Sequence, residues 1–300
     1  MASRDGITHA REDELFHLTI GSGVPLLALH GGPGWDHSYL RSALDPLGDV
    51  AAITYTDLPG NGRSPGPTTE REWKSLRVSD VADQIDQLRE RLGITRMILF
   101  GHSFGGAVAQ EYALRHPDRL YGLILVASYP AFDYAPVVLD GMLRVATEAQ
   151  RAALLEAFSA PLRDDSHFRD VWQTVLRLYF SEGAARAGDD AFANSIPRAA
   201  AYNWGVQVAL RDFSTLERLR ELELPVLIVS GDQDRMAPLE HAALRLVRGI
   251  GGAELEVFEG AGHFPFVEQP SRWETAVRRW LSRMIGDDRG GARQDEERAG

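Results

Sequence analysis

Apolar runs of strand length recur along the chain, separated by stretches with helical spacing. Residues 14–20 alternate apolar and polar like a half-buried strand. Gly21-Ser22-Gly23 then supplies a turn into a second apolar run at 25–29, which predicts an early antiparallel pair. Further short apolar runs at 50–55, 97–100, 121–128 and 225–230 read as buried strands, and 253–258 alternates as a last one. Between them Val81, Ile85, Leu88 and Leu92 recur at helical spacing behind Ser79, a candidate N-cap. Residues 107–114 continue as a helix from the strand at 97, and Trp273, Val277 and Trp280 mark one face of a closing helix over 272–285. From about 132 to 212 strand character stops: helices are predicted over 142–158 and 168–180, with breaks at Pro161, Gly183 and Pro197. Strands alternating with helices around a helical insertion predict a parallel α/β sheet with a cap over its C-terminal edge, where open sheets place ligands.

Three stretches carry chemistry. The connection from the strand at 97–100 into the following helix must be very tight, and it reads Gly101-His102-Ser103-Phe104-Gly105. A serine in such a G-x-S-x-G turn sits at a strained backbone position with its hydroxyl clear of the sheet, at a helix N-terminus whose free N–H groups suit an oxyanion. His30-Gly31-Gly32-Pro33-Gly34 is a second turn, able to present backbone N–H groups to a ligand, with His30 holding the loop rather than acting as a base. The third comprises the carboxylates Asp232 and Asp234 just past the strand at 225–230, and His263 in a small-residue loop after the last strand. Serine, carboxylate and histidine in that order suit a nucleophile, an orienting group and a base. The glycines at 60 and 62 form no phosphate-cradling loop, because no Gly-Lys-Ser/Thr follows them.

Composition narrows the partners. A formal charge of −11 over 300 residues disfavours nucleic acid and anionic membrane surfaces. Without cysteine the chain has no disulfide, thiolate metal site or cysteine nucleophile. There is no HExxH pair or dinucleotide fingerprint, and His30 and His37 are too loosely patterned for zinc, so no metal or organic cofactor is expected. Residues 1–14 are polar and no apolar run is long enough to span a bilayer, so the expectation is a cytoplasmic protein. Residues 1–13 are expected to be flexible, and 286–300, free of large apolar residues, to form a disordered acidic tail. Oligomeric state has no signature.

The stretches HGGPGWDHSYL at 30–40, DLPGNGRS at 57–64 and GHSFGGAVAQEYALRHPDRL at 101–120 resemble the α/β-hydrolase fold. Within it they look most like the proline iminopeptidase group of serine peptidases, where His-Gly-Gly-Pro-Gly is a hallmark. The likeness spans residues 14–285. It implies a mostly parallel eight-stranded sheet flanked by helices, with 14–130 and 213–285 as the core and 131–212 as an inserted helical cap. It implies a triad of Ser103, Asp234, which fits the family's G-x-x-D-x-x-x-P spacing, and His263, with backbone N–H groups of Phe104 and Gly32 holding the oxyanion. Gly31, Trp35, Trp172, Tyr202 and Trp204 are candidate substrate contacts, as are Tyr179 and Phe180, although for each cap aromatic taken singly a place in the cap's own core is the default. The activity implied is release of an N-terminal aminoacyl group from a short peptide or small molecule. Glu148, Glu156, Asp170, Glu182 and Asp212 are the cap acids available to hold its ammonium. His102 stands before the nucleophile where those peptidases carry glycine. A histidine there is common in esterases and lactonases, so a carboxylesterase, lactonase or thioesterase is the alternative, and a non-catalytic receptor on the same fold a third reading.

Overall fold

A computed structural model describes residues 14–298 apart from residue 185, and the side chains of residue 212 and of residues from 285 onward lie outside the description. The expected flexible segment 1–13 therefore falls outside the described residues. Seven strands form one sheet: β1 (His17–Gly21), β2 (Val24–Leu29), β3 (Ala51–Thr56), β4 (Met97–His102), β5 (Leu120–Val126), β6 (Val226–Gly231) and β7 (Glu254–Phe258). Their spatial order is β1-β3-β2-β4-β5-β6-β7, with β1 antiparallel to β3 and every other pairing parallel. β4 and β6 are buried at every position, which is why both read as apolar runs rather than alternations.

Two expectations about the sheet need correction. The eight strands implied by the resemblance are seven among the described residues, the number of strand-like runs read from the sequence. β1 and β2 do not pair with each other, because β3 lies between them. The turn joining them folds onto the segment ahead of β3 instead: Ser22 N–H donates to Gly48 O and Val24 N–H to Val50 O, at 2.9 and 3.2 Å. Gly23, at φ +122°, faces the Val50 carbonyl so closely that a side chain there would collide with it.

Helices cover both faces. α1 (Val78–Arg91) begins earlier than expected because Asp80, not Ser79, closes its first turn: Oδ2 accepts from Arg77 N–H at 2.8 Å. α2 (Phe104–Arg115) is buried along nearly all its length. The insertion between β5 and β6 contains α3 (Ala135–Val145), α4 (Glu148–Ser159), α5 (Asp165–Val175) and α6 (Ala199–Trp204). The helix expected over 142–158 is divided at Thr147, whose hydroxyl and Gln150 form a reciprocal capping box. The chain leaves and re-enters the core side by side, Ala131 bridging Ser214 and Thr215 N–H donating to Pro130 O at 2.8 Å. After α7 (Ala243–Gly249), α8 (Pro270–Arg298) closes the core, with Trp273 and Trp280 buried and Trp273 Nε1–H donating to Ala43 O at 2.9 Å. The helical backbone continues past residue 285, where the sequence pattern ended it; the acidic stretch from 286 has no described side chains.

Candidate active site

The turn from β4 into α2 forms because its flanks have no side chains. A Cβ on Gly101 would stand 2.5 Å from Gly105 O and 2.6 Å from the Gly106 Cα, so glycine at 101 lets the helix pack directly against the strand. Ser103 sits between them at φ 52°, ψ −118°, a backbone region costly for any residue with a side chain. Its N–H donates to Val126 O at 2.8 Å, holding the turn to β5. Gly106 N–H and Ala107 N–H return to Ser103 O, and the N–H of Phe104, at the first helical position, has no carbonyl within the helix to serve.

Strand ends bring the other groups to this turn. His263 Nε2 lies 2.9 Å from Ser103 Oγ, and His263 Nδ1 lies 2.8 Å from Asp234 Oδ2. The carboxylate accepts, so Nδ1 carries the proton and Nε2 is free to accept from the serine hydroxyl. Asp234 Oδ1 accepts from Met236 N–H at 2.8 Å and Ala237 N–H at 2.9 Å, which aims Oδ2 at the ring. All three residues are buried. Asp232, the other carboxylate of this loop, turns to the exposed Gly260 N–H at 2.7 Å and takes no part.

The histidine loop is pinned from the cap and from the core. His263 N–H donates to Tyr179 O at 2.7 Å, and Glu268 accepts from Gly262 N–H and Ser181 N–H at 2.8 and 3.0 Å. From below, His102 Nε2–H donates to His263 O at 3.0 Å, Tyr39 Oη–H to His102 Nδ1 at 2.7 Å, and Gly31 N–H to Tyr39 Oη at 2.5 Å. Complete burial, with His263 beside it, pushes the His102 pKa well below its ordinary value and keeps the ring neutral. This relay joins the glycine loop, the residue before Ser103 and the backbone of His263. No pattern in the sequence pointed to it, because Tyr39 and His102 are 63 residues apart.

His30 anchors the glycine loop as expected: Nδ1–H donates to Gly31 O at 2.7 Å and Nε2 accepts from Leu58 N–H at 3.0 Å. Burial lowers its pKa against the opposing pull of Asp57. Gly31, a candidate substrate contact, is not among the residues that line the cavity over Ser103. Its N–H is taken by Tyr39, and a Cβ there would stand 2.7 Å from His102 Nδ1 and 3.0 Å from the Ser103 Cβ, so glycine is a spacing requirement. Gly32, at φ +112°, faces the cavity together with Pro33 of the same loop.

That cavity, of about 230 Å³, opens over Ser103 and His263 between core and cap. Gly32, Trp35, Trp172, Tyr179 and Tyr202 line it, as do Tyr39, Tyr129, Phe192 and Phe264, which sequence reasoning missed. Trp204 does not reach it: the ring packs edge-on against Phe104 at 5.7 Å, and Nε1–H donates to Leu76 O at 3.2 Å, so it supports the Ser103 turn from behind. Phe180 is also behind the wall, stacked on Phe264 at 4.8 Å. The cap acids stand away from it as well. Glu156 pairs with His167 at 3.0 Å, Glu148, Asp170 and Glu182 are exposed, and none of these four lines the cavity; the Asp212 side chain lies outside the described residues. Among the described residues no group of three or more His, Cys, Asp or Glu is arranged to hold a metal ion. Nor is any described helix long and apolar enough to cross a membrane.

The profile of a family described as alpha/beta hydrolase fold matches residues 24–270. A proline iminopeptidase of Lactobacillus delbrueckii subsp. bulgaricus is 28% identical over 277 residues, covering 86% of this chain and 90% of that protein. Among solved structures, an esterase from Thermogutta terrifontis superposes with a TM-score of 0.66 at 26% identity, covering 95% of this chain and 100% of its own. A proline iminopeptidase from Mycobacterium smegmatis reaches a TM-score of 0.69 at 20% identity, with 96% and 100% covered, a likeness of fold.

Proposed function

Because the chain belongs to the alpha/beta hydrolase fold family, we propose that it is a serine hydrolase that cleaves a small ester through an acyl-enzyme on Ser103. The observation carrying this reading is the hydrogen-bonded line from Ser103 Oγ through His263 to Asp234, at 2.9 and 2.8 Å, on the floor of an aromatic cavity. As Oγ attacks the carbonyl carbon, its proton passes to His263 Nε2, and the Asp234 carboxylate stabilises the resulting imidazolium. The Phe104 and Gly32 N–H groups receive the developing oxyanion, each such donor being worth about 3 kcal/mol in the transition state. His263 then protonates the leaving group, and a water activated by the same nitrogen releases the acyl group.

The lining favours an ester over an N-terminal aminoacyl group. A free α-ammonium at the bottom of an apolar pocket needs a carboxylate partner, and among the described residues no aspartate or glutamate lines this one. The aminopeptidase reading is supported by the curated relatives and remains the second. Hydrolysis of p-nitrophenyl butyrate, of proline and alanine p-nitroanilides and of their N-acetylated forms separates the two. Serine-dependent turnover of the butyrate, abolished in Ser103→Ala, is the expected result. Turnover of the free-amine anilides that is lost on N-acetylation would establish the aminopeptidase instead.

A further inference from the structure

One charged residue of the cavity has no role in the chemistry above. Arg211 is the only lysine or arginine among the lining residues, in a lining that contains no aspartate or glutamate. Nearby arginines are satisfied: Arg198 pairs with Asp165 at 3.0 Å, Arg218 with Glu111 at 2.5 Å and Arg245 with Asp133 at 2.6 Å. The Arg211 side chain makes no ion pair or hydrogen bond among the described residues.

The backbone places it there by an unusual device. Gly205–Ala209, directly after α6, is a π-helical turn that runs into the short helix Leu210–Asp212. Two residues five apart on an α-helix, such as Val206 and Arg211, would point about 140° away from each other. An i→i+5 turn brings them onto one face, and Val206, Leu210 and Arg211 do line the cavity together. The same turn rests on the glycine loop, since Pro33 fills the space where a side chain on Gly205 would be. The guanidinium is thus carried by a segment braced against the loop that presents Gly32.

We infer that Arg211 receives a carboxylate of the substrate, so that the preferred substrate is a small ester with an anionic group at the end remote from the scissile carbonyl, such as a hemiester of a dicarboxylic acid. This rests on the serine-hydrolase reading and names its substrate class. A guanidinium fork donates bidentately to a carboxylate, and an unpaired cation at the cavity repels an α-ammonium. Arg211 is exposed, so the preference is modest and weakens as salt screens it.

The test compares mono-p-nitrophenyl glutarate with p-nitrophenyl valerate, which match in chain length and differ in the terminal carboxylate. The readout is the ratio of their kcat/KM values in wild type, Arg211→Lys and Arg211→Gln, at low and high salt. The expected ratio favours the glutarate in wild type, falls about three- to fivefold in Arg211→Gln through KM, is partly kept in Arg211→Lys, and shrinks with salt. A ratio that is the same in all three proteins overturns the inference while leaving the hydrolase reading intact. Should neither ester be turned over, the hydrolase reading fails, and calorimetric binding of the glutarate hemiester to Ser103→Ala decides on Arg211 separately. Binding weakened by the added Arg211→Gln substitution supports the inference, and binding indifferent to it overturns it.

Discussion

Removing one hydroxyl tests whether the Gly31–Tyr39–His102–His263 relay holds the site together. In Tyr39→Phe the ring, stacked on Phe192 at 4.7 Å, keeps its packing. The change orphans two buried groups: Gly31 N–H, whose acceptor stood at 2.5 Å, and His102 Nδ1, whose donor stood at 2.7 Å. A buried polar group left without its partner costs about 1–3 kcal/mol, so the variant should lose about 3 kcal/mol of stability. Catalysis should suffer as well. Gly31 is fixed by this bond and Gly32 follows it; complete loss of one oxyanion donor costs about 3 kcal/mol, so a partly displaced Gly32 should lower kcat about tenfold. Urea unfolding gives the first quantity and ester hydrolysis the second. A cycle with His102→Gln should show a coupling of about 1 kcal/mol or more, since the two side chains share a bond. Stability within about 0.5 kcal/mol of wild type, together with an unaltered kcat, would refute the reasoning.

The two carboxylates after β6 should behave very differently. Asp234→Asn removes the acceptor that sets the His263 tautomer and should lower kcat about 10⁴-fold, whereas Asp232→Asn should leave turnover near wild type and affect only the exposed turn at Gly260; the reverse ranking in ester hydrolysis would reassign the triad. Stability should also fall in mild acid. The folded-state pKa of His102 lies well below the unfolded value of 6.5, so below pH 6.5 the unfolded chain takes up a proton that the native one refuses. That removes about 1 kcal/mol between pH 6.5 and 5.5. The contribution is fully present only well above pH 6.5, and His30, its pKa also lowered by burial, adds to the loss. Unfolding free energies measured across the window should decline less in His102→Gln, and an unchanged decline would show that His102 is not the group responsible.

Local pattern was enough to find seven strand-like runs, the glycine-flanked Ser103 turn, the loop at 30–34 and the order of serine, carboxylate and histidine, because each depends on neighbours within a few residues. Glycines at 101 and 105 announce a close approach of strand and helix wherever they occur, and a histidine after the last strand of a parallel sheet has few places to go. What the sequence could not determine rests on contacts between distant segments. β3 enters between β1 and β2 because the turn at Gly21–Gly23 closes on Gly48 and Val50, a pairing that no periodicity encodes. Trp204 and Trp172 are alike as aromatic residues of the cap, yet one braces Phe104 from behind and the other faces the cavity, since burial alone does not say which side of a wall a ring occupies. The Tyr39–His102 bond, and the placing of Arg211 rather than Glu148, Glu156, Asp170 or Glu182 in the cavity lining, were likewise decided only when the cap closed on the sheet. A hydrogen bond or a charge acquires its meaning from what is packed around it, and that packing is a property of the folded chain.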